Sequence, residues 1–106
     1  MKVLSNVFEG MMLNINCPPL ELHNLFSQFK HIDIVIDKGV YYINYLSQEI
    51  AKIQADGEYR LMLLPGGYLN RRIEVFKTYN LLLNTFTDGY FLKYIADKWT
   101  LCKKEI

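Results

Sequence analysis

Apolar and polar residues alternate with period two in several parts of the chain. Residues 11–16 and 31–37 largely alternate, and residues 40–45 are dense in aromatic and β-branched side chains. Period two puts successive side chains on opposite faces of a strand, so these segments predict three half-buried strands. The tripeptide Asp37-Lys38-Gly39 predicts a hairpin turn between the last two, because glycine tolerates a positive φ.

A spacing of three and four residues indicates helices elsewhere. It predicts helices over residues 20–30, over residues 47–54 with Ser47 as the cap, and over residues 88–104. The last carries its apolar residues at Phe91, Leu92, Ile95, Ala96 and Trp99. Two further strands are predicted over residues 58–64 and 68–79, joined by a turn at Pro65-Gly66-Gly67, while residues 80–86 fit a strand and a helix equally well.

The predicted element order is β-α-β-β-α-β followed by a C-terminal helix. This order is typical of the ferredoxin-like α+β sandwich, in which two helices cover one face of a four-stranded antiparallel sheet. The length of 106 residues fits one domain over residues 1–106. The other face of the sheet is expected to stay open or to be covered by the C-terminal helix.

Three segments of residues 11–77 resemble the RNA recognition motif (RRM) family. Leu22-x-x-Leu25-Phe26-Ser27-Gln28-Phe29-x-x-Ile32 resembles the first helix and the entry to the second strand. Lys38-Gly39-Val40-Tyr41-Tyr42-Ile43-Asn44-Tyr45 resembles the family's octapeptide, and Leu69-Asn70-Arg71-Arg72-Ile73-Glu74-Val75 is similar to the stretch before its fourth strand. The resemblance implies an RRM-like sheet that binds single-stranded RNA by stacking bases on exposed aromatic side chains.

The chain departs from the family pattern at the positions that stack bases. Val40 replaces the first outward aromatic residue of the octapeptide, and a large Tyr41 replaces its small inward residue. Asn14 stands where the first strand would carry an aromatic residue. An alternative first strand over residues 7–10 restores one at Phe8, but turns Glu9 towards the core, where a charge without a partner is costly.

The predicted open face combines a few rings with several charges. Its residues would be Met12, Asn14, Asn16, Asp33, Val35, Asp37, Val40, Tyr42, Asn44, Arg72, Glu74 and Phe76. Carboxylates on this face repel phosphate, whereas its apolar centre is typical of a surface that meets a partner.

Two functions of different classes follow from this face. One is a small RNA- or ribonucleoprotein-associated binding domain, with single-stranded RNA contacted by Tyr42, Lys38, Phe76, Arg72 and Asn14. The other is a protein-interaction module, with partner contacts at Val40, Val35, Phe91 and Trp99, that uses the same face or the C-terminal helix. Self-association as a homodimer stays open. The preference for Lys over Arg and the many Ile, Asn and Tyr residues indicate an AT-rich coding sequence, which would suit a virus, a mobile element or a low-GC genome.

Composition and charge exclude several other classes. Apolar residues make up 51% of the chain and charged residues 22%, which excludes a disordered segment, and the net charge of +1 gives no strong basic field. The longest apolar runs are too short to span a membrane, and no signal peptide is evident, so an intracellular protein of the cytoplasm or nucleus is expected. His23, His31, Cys17 and Cys102 form no catalytic or metal-binding pattern, so we expect no enzyme activity, cofactor or metal.

Overall fold

Three β-hairpins with two-residue turns build much of the fold. The computed structural model describes residues 2–5, 12–15, 22–55, 57–64 and 72–104. The turns lie at Lys38-Gly39, Leu46-Ser47 and Ala96-Asp97, and both residues of each turn have a positive φ. Such turns are of type I′, whose twist matches that of the two strands they join.

The strands form two antiparallel sheets. The five-stranded sheet has the order β2-β6-β5-β4-β3 and the three-stranded sheet the order β1-β8-β7. The strands are β1 (Lys2–Ser5), β2 (Met12–Asn14), β3 (Ile32–Asp37), β4 (Val40–Tyr45), β5 (Gln48–Gln54), β6 (Arg60–Leu63), β7 (Tyr90–Ile95) and β8 (Lys98–Lys103), and the helices are α1 (Leu22–Leu25) and α2 (Ile73–Phe86).

Helix α2 supplies the largest continuous part of the core. Its buried apolar side chains recur with helical spacing, at Val75, Phe76, Tyr79, Leu82, Leu83 and Phe86. They join one cluster with residues of the five-stranded sheet and with Leu92 and Leu101 of the three-stranded sheet. The ring of Phe76 stacks on Trp99 of β8, with centroids 4.6 Å apart. The helix therefore buries side chains against both sheets.

The ferredoxin-like prediction of a single four-stranded sheet is wrong, because two sheets of five and three strands are present. The predicted helix over residues 47–54 is strand β5. Its pairing with β4 shifts between Ile43 and Asn44, so that Ile50 is an extra residue on β5. This bulge leaves Ile50, Ala51 and Ile53 all buried, and that spacing imitates one face of a helix.

The predicted C-terminal helix over residues 88–104 is also wrong, because these residues form the β7–β8 hairpin. Its turn is Ala96-Asp97, with φ values of 49° and 64°. The turn contains neither the glycine nor the asparagine that usually marks a turn of this type in a sequence. Three consecutive residues of β8, from Thr100 to Cys102, are buried. A strand buried on both faces loses its alternation, which left the apolar spacing open to a helical interpretation.

The predicted strand over residues 68–79 is wrong for its described part, since residues 73–79 belong to α2. The strands predicted over residues 31–37, 40–45 and 58–64 are confirmed as β3, β4 and β6, and the turn at Lys38-Gly39 is confirmed. The strand predicted over residues 11–16 is confirmed for Met12–Asn14, as β2. The helix predicted over residues 20–30 is shortened to α1. The turn at residues 65–67, the alternative first strand at residues 7–10 and the predicted face residue Asn16 lie outside the described residues.

Candidate binding surfaces

One face of the five-stranded sheet points away from α2, and we call it the outer face. Strand pairing aligns its residues in rows across the sheet. The outer-face residues are Asp33, Val35 and Asp37 of β3, Val40, Tyr42 and Asn44 of β4, Glu49, Lys52 and Gln54 of β5, Arg60 and Met62 of β6, and Met12 and Asn14 of β2. None of them is fully buried, whereas the alternate positions supply much of the core.

A central row of mostly apolar side chains crosses the outer face. Pairing places Val35, Tyr42, Lys52, Met62 and Met12 side by side from β3 to β2. Val35 is 49% exposed and Met12 is 46% exposed, while Tyr42 and Met62 are half-buried. Side chains directly opposite each other on paired strands are in contact range, so the row is a continuous strip.

Polar and charged residues flank the central row on both sides. Asp33 and Asp37 of β3 and Glu49 of β5 are exposed. At the β6 end, Arg60 is paired with Glu58, with 2.6 Å between Nη2 and Oε2. The acidic groups without such a close partner therefore concentrate towards the β3 end of the outer face.

An unsatisfied acceptor lies between two of these acidic residues. Asn44 pairs with Asp33 on one side and with Glu49 on the other. Its side-chain oxygen Oδ1 is buried, and within the part of the chain that the structure describes it accepts no hydrogen bond. A buried acceptor without a donor destabilises the folded state.

Strand β3 forms one edge of the five-stranded sheet, and no described strand pairs with its outer side. The turn at Lys38-Gly39 makes Asp37 and Val40 a hydrogen-bonded pair, and such pairs alternate along an antiparallel hairpin. The bond from the Leu46 N–H to the His31 carbonyl, 3.1 Å long, fits this alternation. The main-chain groups of the intervening residues, Ile32, Ile34 and Ile36, therefore point away from β4. We call this side of β3 the open edge.

Strand β7 forms the corresponding edge of the three-stranded sheet, but a side chain of α2 bonds to it. The Asn80 amide donates to the Leu92 carbonyl at 3.0 Å and accepts from the Leu92 N–H at 2.6 Å. The amide thus satisfies both main-chain groups of Leu92, as a neighbouring strand would. We call this side of β7 the covered edge. Sequence reasoning missed Asn80, because no local pattern shows that an asparagine faces a strand twelve residues away.

The residues predicted to bind RNA or a partner divide between two sides of the molecule. Tyr42, Asn14, Val40 and Val35 lie on the outer face, and Lys38 lies exposed in the turn at its β3–β4 end. Sequence reasoning missed Lys52 and Met62, because it assigned residues 47–54 to a helix and gave residues 58–64 no place on this face.

The remaining predicted site residues lie elsewhere. This corrects the assignment of Arg72 and Phe76 to the open face, and that of Phe91 and Trp99 to a C-terminal helix. Arg72 and Phe76 belong to the start of α2, which packs on the opposite side of the sheet. Phe76 is only 6% exposed and contacts Trp99, so neither ring is free to stack on a base. Phe91 is half-buried on β7 and lines a hollow beside α2.

A cavity of about 400 Å³ lies where the start of α2 meets the end of β4. Its wall includes Phe29, His31, Tyr45, Glu74 and Lys77. The Tyr45 hydroxyl donates a hydrogen bond to the Glu74 carboxylate, and the His31 ring packs edge-on against Tyr45.

The pKa of Tyr45 reflects these surroundings. Hydrogen bonding to Glu74 and, secondarily, burial raise the pKa of Tyr45 above its usual value, and a hydrogen bond with Arg72 opposes the shift. Because the bond joins β4 to the first turn of α2, its most direct effect is to hold the helix against the sheet.

Among the described residues, no three His, Cys, Asp or Glu side chains come together as a metal site would require, and no helix is long and apolar enough to cross a membrane. Compared with known proteins, the chain matches no family model, no curated protein and no solved structure.

Proposed function

We propose that this chain is a non-catalytic protein-binding module that uses the outer face of its five-stranded sheet. The observation that supports this most is the central row, in which Val35 and Met12 are about half exposed beside Tyr42 and Met62. A mostly apolar strip with a polar surround has the anatomy of an interface, with a core that excludes water and a rim that stays hydrated. Tyrosine and methionine are also side chains that interfaces favour.

Binding of single-stranded RNA stays a prediction, and the geometry favours it less. Stacking contributes about 1–3 kcal/mol per base, and Tyr42 is the one aromatic side chain among the described residues of the outer face. Phe76 and Arg72, two of the expected RNA contacts, belong to α2 on the opposite side of the sheet. The carboxylates of Asp33 and Asp37 would repel a phosphate backbone.

Selection from a displayed peptide library tests the proposal directly. The library would be selected on the immobilised chain, and enriched peptides would then be titrated in solution against three proteins: the unaltered chain, Tyr42→Ala and Tyr94→Ala. Tyr94 is 57% exposed on the other sheet and is the matched control. We expect binding that Tyr42→Ala weakens about tenfold or more, in keeping with an interface anchor, and that Tyr94→Ala leaves unchanged.

Labelled single-stranded RNA pools, titrated with the same three proteins, give the second arm. We expect no RNA binding at moderate salt. RNA binding that weakens steeply with added salt and is lost in Tyr42→Ala would instead make the outer face a nucleic-acid platform. Peptide binding that is indifferent to Tyr42 would contradict the proposal.

A further inference from the structure

We propose that the partner binds as an extended segment that adds a strand to the open edge of β3, and that this segment carries two basic residues four positions apart with an apolar residue midway. The inference rests on the proposed function, since it names the partner of the same surface. It goes further by stating the partner's backbone conformation and its side-chain pattern.

The main chain of β3 supplies the first part of the fit. The N–H and C=O groups of Ile32, Ile34 and Ile36 point outwards from the sheet, and no described strand takes them. The strand has six residues, and no proline or bulge interrupts its pairing with β4. An extended segment can therefore pair with it over its full length, as in other complexes formed by strand addition.

The outer side chains of β3 supply the charge pattern. Asp33 and Asp37 are both exposed on the outer face, with Val35 between them. Four residues of a strand span about 13 Å, so the two carboxylates lie at opposite ends of the docking edge. A paired segment with Lys or Arg at both matching positions places each cation beside a carboxylate, and its central apolar residue extends the central row from Val35.

The inner side chains of β3 set the remaining positions. Ile36 is 53% exposed and Ile34 is half-buried, although both point towards the core side of the sheet. In an added strand, the residues between the basic positions and the central apolar position would lie beside these isoleucines. Apolar, β-branched residues fit there, because they cover the exposed side of Ile36.

A second copy of this chain is a poor occupant of the same edge. When two copies of β3 pair antiparallel over residues 33–37, Asp33 of each copy lies opposite Asp37 of the other. Like charges placed directly opposite each other destabilise a strand pair, and this register creates two such pairs. Outward-facing charges on an edge strand are a known protection against self-pairing. The same carboxylates that oppose self-association favour a basic partner.

Synthetic peptides test the pattern without knowledge of the natural partner. The probe is a blocked, fluorescently labelled peptide, Ser-Lys-Val-Val-Val-Lys-Ser. One control peptide has both lysines replaced by glutamate. Two further control peptides carry N-methyl groups on alternate residues, one peptide for each register, so that each lacks the N–H groups of one edge of the peptide. We expect the lysine peptide to bind about tenfold tighter than the glutamate peptide. The N-methylated peptide that lacks the N–H groups facing β3 should not bind.

Variants of the chain separate this inference from the proposed function. In Asp33→Asn/Asp37→Asn, the preference for lysine over glutamate should disappear. Because both positions are exposed, we expect its circular dichroism spectrum to match that of the unaltered chain. Equal binding of the two peptides to the unaltered chain, or binding that survives N-methylation in both registers, would overturn strand addition. If library-selected peptides still depended on Tyr42, the outer-face function would stand; loss of that dependence would overturn both.

Discussion

The outer edges of β7 and β3 differ in whether another part of the chain bonds to their outward-pointing main-chain groups. Both strands begin hairpins with type I′ turns, and in both every second residue turns its main-chain groups away from the hairpin partner. On β7, the Asn80 amide bonds to both groups of Leu92. On β3, no described strand takes the outward groups, and exposed carboxylates stand beside them.

The difference teaches that a helix side chain bonds to part of one sheet edge, at Leu92, whereas no described strand pairs with the other edge, which carries exposed carboxylates. A fully closed edge cannot accept another strand, and an uncharged open edge would pair with any exposed strand, including its own copy. An edge that is open and acidic selects for a basic segment. We therefore interpret Asn80 as a structural residue, and propose Asp33 and Asp37 as recognition residues.

Phe76→Ala should have the largest effect, because it removes a ring that α2 buries between the sheets. We expect a loss of about 3–5 kcal/mol in the free energy of unfolding, measured by urea denaturation. Tyr42→Ala, on the outer face near the open edge, should cost about 1 kcal/mol. If both variants lost similar amounts of unfolding free energy, the assignment of Phe76 to the core and of Tyr42 to the surface would be contradicted.

Asn80→Ala should uncover the β7 edge. The substitution leaves both main-chain groups of Leu92 without partners, and we expect a loss of about 1–3 kcal/mol in the free energy of unfolding. Asn84→Ala changes the same side chain at an exposed position of the same helix, so the gain in helix propensity is matched. If the two variants were equally stable, the Asn80 amide would not be closing the edge.

The bond between Tyr45 and Glu74 should make stability depend on pH in the alkaline range. Because this bond raises the pKa of Tyr45 in the folded state, its stabilising effect is complete below the ordinary tyrosine value of 10.0 and is lost as pH rises through the raised pKa. The stability difference between the unaltered chain and Tyr45→Phe should therefore shrink as pH rises above 10. When the same comparison is made in chains that carry Glu74→Gln, the pH dependence of the stability difference should weaken. An unchanged pH dependence would show that the bond to Glu74 is not its cause.

The smallest change in stability is expected for Asp33→Asn/Asp37→Asn, within about 0.5 kcal/mol, because both side chains are exposed. The double variant should instead change self-association. Without the carboxylates, the β3 edges of two copies should pair, and sedimentation should detect a concentration-dependent dimer. The unaltered chain is the control. A double variant that stays monomeric at all concentrations would show that these charges do not guard the open edge.

The sequence predicted the face of β2, β3 and β4 but not the sheet that contains them. The alternation from residue 31 to residue 37, with isoleucine at every second position, specified which side chains of β3 face outwards, and Gly39 marked the turn. The extra residue at Ile50 and the glycine-free turn at Ala96-Asp97 removed the same signals from β5 and from the C-terminal hairpin.

Helix α2 was missed for a different reason. Its N-terminal half is rich in residues that favour strands, and the helical period becomes evident only when Val75, Tyr79, Leu82 and Phe86 are taken together. Once residues 68–79 are interpreted as a strand, Phe76 and Arg72 fall on the wrong side of the molecule. The contact between Asn80 and Leu92 depends on tertiary packing, which no local pattern reports.

Amide hydrogen exchange along β3, resolved by residue, tests the central claim most directly. In the free chain we expect slow exchange at Asp33, Val35 and Asp37, which bond to β4, and fast exchange at Ile34 and Ile36 on the open edge. Leu92, at the equivalent outward position of β7, should exchange slowly because Asn80 accepts its N–H. Slow exchange at Ile34 and Ile36 in the free chain would mean that the edge is already occupied, and would contradict the account.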